Sequence, residues 1–380
     1  MFKAIQTSYA KLLDRCSRVT SGGALIPEID GLRFIAITLV FFNHVCYYIG
    51  EKRFEFTGIQ TDYDSSFVAS LYLTGLVGVP IFFAISGFIL SLPFAEAALR
   101  GKPAPVLTRY YLRRLTRLEP PFLINLLLAF AMLYAVRGTQ MLSWTPNLFA
   151  GMGYVHGAIY GSKNPVNFVT WSLEIEVQFY LIAPLLFSVF HIKQKAFRRG
   201  ILLACMLLYP SLVNTDAQHL FLTGFLQFFL AGILLADLYV ADDFRTRPKS
   251  AVFDVLSVVA FIVLIGRLYL KMPSSTGTAA LCVFLFEWGA LRSKVLGWLL
   301  SLRTITTIGG MCYTIYLYHM LIIYVIGKIA MRLYMPNFSL TANLLIQTLV
   351  FAPPVLVTSG ILFVWIERPF MSFRLKTATK

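Results

Sequence analysis

Long apolar runs follow one another through most of this sequence. A helix needs about 20 apolar residues to cross the hydrocarbon core of a bilayer. Hydrophobic residues make up 58% of the chain and charged residues 13%, which excludes a soluble core within a polar shell. The sequence therefore predicts an all-α, polytopic integral membrane protein with about ten transmembrane helices, near residues 34–50, 67–94, 120–136, 171–190, 200–213, 219–240, 251–270, 277–290, 305–327 and 340–366.

Lysine and arginine are distributed unevenly among the connections between these runs. If the connections alternate between the two sides of the membrane, 25 of the 33 basic residues share the side of the N-terminus and 8 lie opposite. The positive-inside rule produces such a bias, so we expect residues 1–28 and 367–380 to be cytoplasmic. The same rule explains the net charge of +15 without a nucleic-acid partner.

The five cysteines are scattered and lack the spacing of metal ligands or of a disulfide framework. The sequence therefore predicts no metal site, and we interpret the cysteines as apolar core residues: Cys16, Cys46, Cys205, Cys282 and Cys312.

The first apolar run, IDGLRFIAITLVFFNHV at residues 29–45, contains Arg33 and His44. Eleven residues at about 100° each bring both side chains to one helix face, about 16 Å apart. Arg33 fits either a functional group or a residue that snorkels to the cytoplasmic interface. His44 fits either a ring bonded to a backbone carbonyl or a proton-transfer group facing a cavity.

Other polar residues interrupt the later runs. Glu174 and Glu176 open the fourth run but point about 200° apart, so we expect at most one of them to take part in the chemistry of a site. His319 lies among tyrosines in the ninth run and fits either a catalytic group or a ring bonded to a tyrosine hydroxyl. Ser86 precedes Gly87 in the second run, where close helix packing is the simpler explanation.

A basic cluster at Arg113, Arg114 and Arg117 precedes the third run, where Pro120 and Pro121 predict the start of a helix. Arg114 and Arg117 share a helix face and can grip phosphates bidentately. A positive-inside loop or an anionic-lipid contact explains the cluster equally well.

Together these residues resemble the membrane-bound acyltransferase family 3, which O-acylates surface carbohydrates and related molecules. The resemblance covers nearly the whole chain, and its motifs occur in order. It departs from the family at Pro80, where an acid is common, and at Met320. The matching motifs are the basic-x10-His pair Arg33 and His44; Ser86, Gly87 and Phe88; Arg114 and Arg117; Trp171, Ser172, Leu173 and Glu176; Tyr316 and His319; and Glu367, Arg368 and Pro369.

The resemblance implies one membrane acyltransferase domain over residues 1–380. Its expected activity is transfer of an acyl group, by default acetyl, from cytoplasmic acyl-CoA to a hydroxyl of a carbohydrate or glycolipid acceptor of the O-antigen or exopolysaccharide type. Acetyl-CoA would be a donor substrate, and no bound cofactor is implied. The implied location is the plasma membrane, in bacteria the inner membrane. Because the chain ends soon after the tenth run, we expect it to act without the extracytoplasmic hydrolase-like domain that some relatives carry.

The resemblance also implies residue roles. The donor phosphates would be held by Arg33, Arg114 and Arg117. His44 would act as general base or carry the acyl group transiently, with Glu176, selected over Glu174, orienting it or stabilising the imidazolium. Supporting positions are Ser86, Trp171, Ser172, Tyr316 and His319.

One alternative function and one question about aromatic side chains remain at this stage. A proton-coupled secondary transporter or flippase would also use intramembrane His, Glu and Arg, although no symmetry between halves or pair of broken helices is evident. In the connection at 137–170, Trp144, Tyr154 and Tyr160 could stack on sugar rings or simply belt the membrane interface.

Overall fold

The computed structural model describes residues 2–18, 25–57, 74–213, 220–244, 246–270, 272 and 276–371. Within these residues the secondary structure is helical, with no strand. The α-helices are α1 (Phe2–Cys16), α2 (Pro27–Thr57), α3 (Gly78–Arg100), α4 (Leu107–Arg137), α5 (Thr145–Met152), α6 (His156–Tyr160), α7 (Trp171–Leu186), α8 (Lys195–Leu212), α9 (Leu226–Ala241), α10 (Ala251–Tyr269), α11 (Gly277–Arg292), α12 (Val295–Leu300), α13 (Arg303–Gly310), α14 (Cys312–Ala330), α15 (Leu340–Leu362) and α16 (Arg368–Met371).

The predicted all-α membrane architecture is confirmed, and each of the ten predicted runs overlaps one helix except the ninth, which overlaps both α13 and α14. Among the described residues, seven helical segments are long and apolar enough to cross a membrane. The fifth, sixth and eighth runs correspond to α8, α9 and α11. These three helices are too short or not apolar enough to be counted among the seven. Residues 67–73 and 219 of the predicted runs lie outside the described residues. Ten spans and cytoplasmic termini therefore stay predictions.

The basic cluster lies on a helix, not in a connection. The link between α3 and α4 is only residues 101–106, and α4 continues through Pro120 and Pro121, so the prediction that a helix begins at these prolines is wrong. Membrane helices tolerate proline where neighbouring groups satisfy nearby carbonyls. The Leu118 carbonyl, next to the two carbonyls that the prolines leave without an N–H, accepts from the Tyr313 hydroxyl, 2.8 Å away. The prolines thus lie inside α4, and the arginines lie on its first turns.

Glycines bring α3 and α9 into close contact at the centre of the main apolar core. A Cβ on Gly87 would lie 2.2 Å from the Phe229 carbonyl oxygen. A Cβ on Gly232 would lie 2.0 Å from the Ala84 carbonyl oxygen. Helices can approach this closely only where side chains are absent, so Gly87 has the packing role predicted for it.

Buried amides anchor the segment between α4 and α7. Asn167 Nδ2 donates to Asn125 Oδ1 on α4, 2.8 Å away, and lies 3.3 Å from the Leu317 carbonyl on α14. Asn125 Nδ2 donates to the same Leu317 carbonyl at 2.8 Å. His156 is fully buried and bonds to Asn147 and to the Ser162 carbonyl. These bonds fix the chain immediately before α7.

The cysteines do not share one environment. Cys16, Cys46 and Cys282 are buried, as an apolar core role predicts, and all five thiols are free. The prediction is wrong for Cys205, which is exposed, and for Cys312, which lines a cavity. Cys312 is the first residue of α14, directly after the break between α13 and α14, and this end of α14 faces that cavity.

Candidate active site

A cavity of about 120 Å³ lies between α2, α3, α4, α7 and α14. Apolar side chains such as Val40, Phe82 and Ile89 form most of its wall. Seven of the ten predicted site residues line it, although they come from five helices: Arg33, Ser86, Arg114, Arg117, Ser172, Glu176 and Tyr316.

Three arginines form one end of the cavity. Arg33 is largely buried, and its Nη1 donates to Asp30 Oδ1 at 2.5 Å, so it does not simply snorkel to the interface. Arg18 lies 3.4 Å from the same carboxylate oxygen. The buried Nε atoms of Arg114 and Arg117 have no hydrogen-bond partner among the described residues. Because buried donors are normally satisfied, this end of the cavity is suited to an anion.

Glu176 lies in the middle of the cavity and is held by two hydroxyl groups. Ser86 Oγ donates to Glu176 Oε1 at 2.6 Å, and Tyr180 Oη donates to the same oxygen at 2.5 Å. Ser86 therefore does more than allow close packing. No bond from the described residues reaches Glu176 Oε2, which leaves that oxygen available to a ligand.

Ser172 and Tyr316 line the cavity on helices α7 and α14 and bond to each other. The Tyr316 hydroxyl donates to the Val169 carbonyl at 2.6 Å, so Ser172 Oγ, 3.0 Å away, is the donor in the bond between the two hydroxyls. The Trp-Ser-Leu and Tyr-x-x-His segments therefore meet at the start of α7.

His44 and His319 form a pair just beyond these residues. His44 Nδ1 lies 2.7 Å from His319 Nε2, and the two rings lie edge to edge with their planes inclined by 28°. His319 Nδ1 is 2.9 Å from the carbonyl oxygens of Ile315 and Tyr316. His44 follows the cavity residue Val40 by four positions and His319 follows Tyr316 by three, so each histidine is one helical turn past the cavity.

The predicted role of Glu176 in orienting His44 requires the two side chains to meet, but no hydrogen bond joins them. Each residue has a different partner, because α7 presents Glu176 to α3 whereas His44 faces α14. Glu174 is buried and points away, as predicted, and accepts a bond from the Gly157 amide at 2.8 Å. His319 bonds to His44 and to backbone carbonyls, not to a tyrosine hydroxyl.

Trp171 lies outside the cavity and interacts with a cation. Lys163 Nζ is 5.6 Å from the centroid of the Trp171 ring, a cation–π geometry. Burial lowers the pKa of Lys163. The predicted sugar-stacking role does not suit Tyr154, whose ring stacks on Phe122 and whose hydroxyl bonds to Glu119. Tyr160 packs on His156 but remains exposed.

Sequence reasoning missed three contributors to this site. Tyr180 follows Glu176 by four residues on one helix, a spacing that could have indicated contact. Asp30 precedes Arg33 by three residues and could have been recognised in the same way. Cys312 gave no local signal, because its position depends on how α14 packs.

The chain is similar to known proteins over most of its length. The model of a family described as an acyltransferase domain matches residues 26–366. A protein of Staphylococcus aureus strain COL, named "Putative O-acetyltransferase", is 25% identical over 354 residues, covering 83% of this chain and 54% of its own length. The O-acetyltransferase OatA of S. aureus strain NCTC 8325 is 24% identical over 355 residues, covering 83% of this chain and 55% of that protein. This chain thus spans about half the length of these relatives, and no solved structure matches it.

The family match extends over nearly all the residues that form the cavity and the histidine pair. It also favours an enzyme over the alternative of a transporter. Taken with the apolar helices, it identifies the chain as a multi-pass membrane protein that belongs to the acyltransferase-domain family.

Proposed function

We propose that this protein transfers an acetyl group from acetyl-CoA, bound from the cytoplasmic side, to a hydroxyl of a carbohydrate or glycolipid acceptor. The observation that carries the proposal is the cavity, which has a cationic end at Arg114 and Arg117 and stops one helical turn from His44. Relatives named as O-acetyltransferases support the acyl group and the type of acceptor atom.

The donor would lie along this cavity with its phosphates at the arginines. Phosphate oxygens suit the guanidinium groups of Arg114 and Arg117, which line the cavity, because such groups bind phosphate through several parallel bonds. The apolar wall at Phe82 and Ile89 would then lie along the pantetheine arm. The thioester would then point towards Ser172, Tyr316 and the histidine pair.

His44 would act as the general base. Its Nε2 takes the proton of the acceptor hydroxyl while the hydroxyl oxygen attacks the thioester carbonyl carbon. The tetrahedral intermediate then expels the CoA sulfur, so that a C–O bond replaces the C–S bond. The proton on His44 passes to the departing thiolate, which leaves the enzyme unchanged and releases CoA with a free thiol.

Glu176 would serve the donor side of the reaction. Ser86 and Tyr180 fix its carboxylate by bonding to Oε1, and Oε2 is then free to accept a hydrogen bond from an amide N–H of pantetheine. Correct placement of the reacting atoms contributes much of an enzyme's rate enhancement. This role replaces the direct contact with His44 that the sequence predicted.

Transfer of radiolabelled acetyl from acetyl-CoA tests the proposal in inside-out membrane vesicles that contain the native glycans of the producing cells. We expect label in the glycan fraction with the parent protein. Replacing His44 by Ala should lower the transfer rate by at least about 100-fold, the usual contribution of a general base.

His191→Ala is the matched control, because His191 is an exposed histidine whose one bond within the described residues is to the nearby Ser188 carbonyl. It should transfer at the parent rate. Equal transfer by His44→Ala and the parent would contradict the role of His44. Parent vesicles whose glycans take up no label from acetyl-CoA would contradict the assignment of the donor.

A further inference from the structure

The contacts of His319 determine which of its nitrogens carries hydrogen. Nδ1 is 2.9 Å from two carbonyl oxygens, those of Ile315 and Tyr316, and carbonyl oxygens can only accept. Nδ1 must therefore carry a hydrogen. The ring is 0% exposed, and burying an imidazolium without a carboxylate partner is costly. The neutral ring then has a lone pair on Nε2.

This lone pair determines the state of His44. His319 Nε2 lies 2.7 Å from His44 Nδ1, and a bond between them requires one hydrogen. Because His319 Nε2 has none, His44 Nδ1 must donate. The hydrogen of a neutral His44 ring is then on Nδ1, and its Nε2 is unprotonated and has no hydrogen-bond partner among the described residues.

We propose that His319 is a positioning residue that holds His44 in the tautomer with a basic Nε2. The inference rests on the proposed function, in which His44 Nε2 takes the proton of the acceptor. The same bond persists when His44 becomes an imidazolium, since Nδ1 keeps its hydrogen and still donates to His319. The contact with His319 therefore stabilises His44 both as the neutral base and as the imidazolium.

Nitrogen-15 NMR of the full-length protein labelled with ¹⁵N-histidine tests the tautomer directly. Signals that disappear in His44→Asn belong to His44. We expect a protonated, pyrrole-type Nδ1 and an unprotonated, pyridine-type Nε2, the opposite of the tautomer that predominates for histidine in water. A pyridine-type Nδ1 at His44 in the parent protein would overturn the inference, whatever the variants do.

Two substitutions test the effect on the reaction. His319→Gln offers an oxygen to His44 Nδ1 and an amide N–H to the Ile315 carbonyl, so kcat should stay within about tenfold of the parent. His319→Phe keeps a ring but removes the acceptor, and kcat should fall by on the order of 10²- to 10⁴-fold. The KM for acetyl-CoA should change in neither variant, because His319 does not line the donor cavity.

Tyr318→Phe controls for a substitution at a buried site of the same helix, because the Tyr318 hydroxyl has only a 3.5 Å contact with the Pro121 carbonyl. Its kcat should equal that of the parent. A His319→Phe protein as active as the parent would overturn the inference. If the parent transfers no acetyl group, the proposed function fails, while the NMR experiment still decides the tautomer.

Discussion

Arg113, Arg114 and Arg117 carry the same charge on the same helix but lie in different surroundings. Arg113 is exposed, whereas Arg114 and Arg117 are partly buried and line the cavity. A positive-inside signal depends only on the charge of a side chain. Binding of a donor also requires that the side chain point into the cavity. The three residues can therefore separate the two explanations that the sequence left open.

We expect Arg114→Gln and Arg117→Gln each to raise the KM for acetyl-CoA by about 10- to 100-fold. A hydrogen bond to a charged group contributes roughly 1.5–3 kcal/mol, and 1.4 kcal/mol corresponds to a factor of ten. Arg113→Gln should leave KM unchanged. Initial rates at varied acetyl-CoA concentration measure the effect, and an equal rise for all three variants would identify the cluster as a general charge effect.

At the scale of single residues, the sequence predicted which side chains lie in the candidate site more accurately than it predicted which residues they bond to. Arg33 and Glu176 were recognised by motif and do line the cavity. Their bonds to Asp30 and to Tyr180 were not predicted, because a motif identifies a residue type at a position but not the rotamer that it adopts. The partner of His44 lies 275 residues away in sequence and is brought close only by the packing of α2 on α14.

Among the helices, the crossing of α3 and α9 controls the shape of the cavity. Ser86 and Phe83 on α3 line the cavity, and Gly232 on α9 is the point where the two backbones meet. Gly232→Ala would place a methyl group 2.0 Å from the Ala84 carbonyl oxygen, so the helices must separate. Overpacking of this kind costs about 1–3 kcal/mol.

Gly266→Ala is the matched control, because no atom lies within 4 Å of a Cβ added at this glycine of α10. Alanine there should be neutral or stabilise the helix by up to about 1 kcal/mol. Thermal unfolding in detergent should therefore give a lower Tm for Gly232→Ala and an equal or higher Tm for Gly266→Ala. Equal Tm values for Gly232→Ala and the parent would show that the crossing can relax without cost.

At the scale of the whole molecule, the basic residues predict which connections face the cytoplasm. We expect a cysteine at Thr139, in the connection between α4 and α7, to react with a membrane-impermeant maleimide in intact cells. A cysteine at Gln194, just before α8, should react only after permeabilisation. Both positions are exposed, and Cys205→Ala in the background removes the exposed native thiol. Labelling of Gln194→Cys in intact cells would contradict the predicted topology.

The number and order of the helices could be predicted because apolar runs are a property of local sequence. Their ends could not, as α4 shows: it begins at Leu107, well before the apolar run starts at residue 120. Polar residues of a helix can lie beyond the hydrocarbon or face a protein cavity, and hydropathy alone does not register them. The cavity itself depends on five helices packing together, which no single stretch of sequence encodes.

The hydroxyl contact between Ser172 and Tyr316 bears on whether protons could leak through this protein and weaken the proton gradient across the membrane. A membrane protein that moves a chemical group from one surface towards the other must do so without opening a path for protons. In this fold that contact lines the donor cavity, and the histidine pair lies just beyond the cavity. Under the proposed function the acetyl group passes this contact only during the chemical step, and we therefore expect production of the enzyme to leave the proton-motive force unchanged.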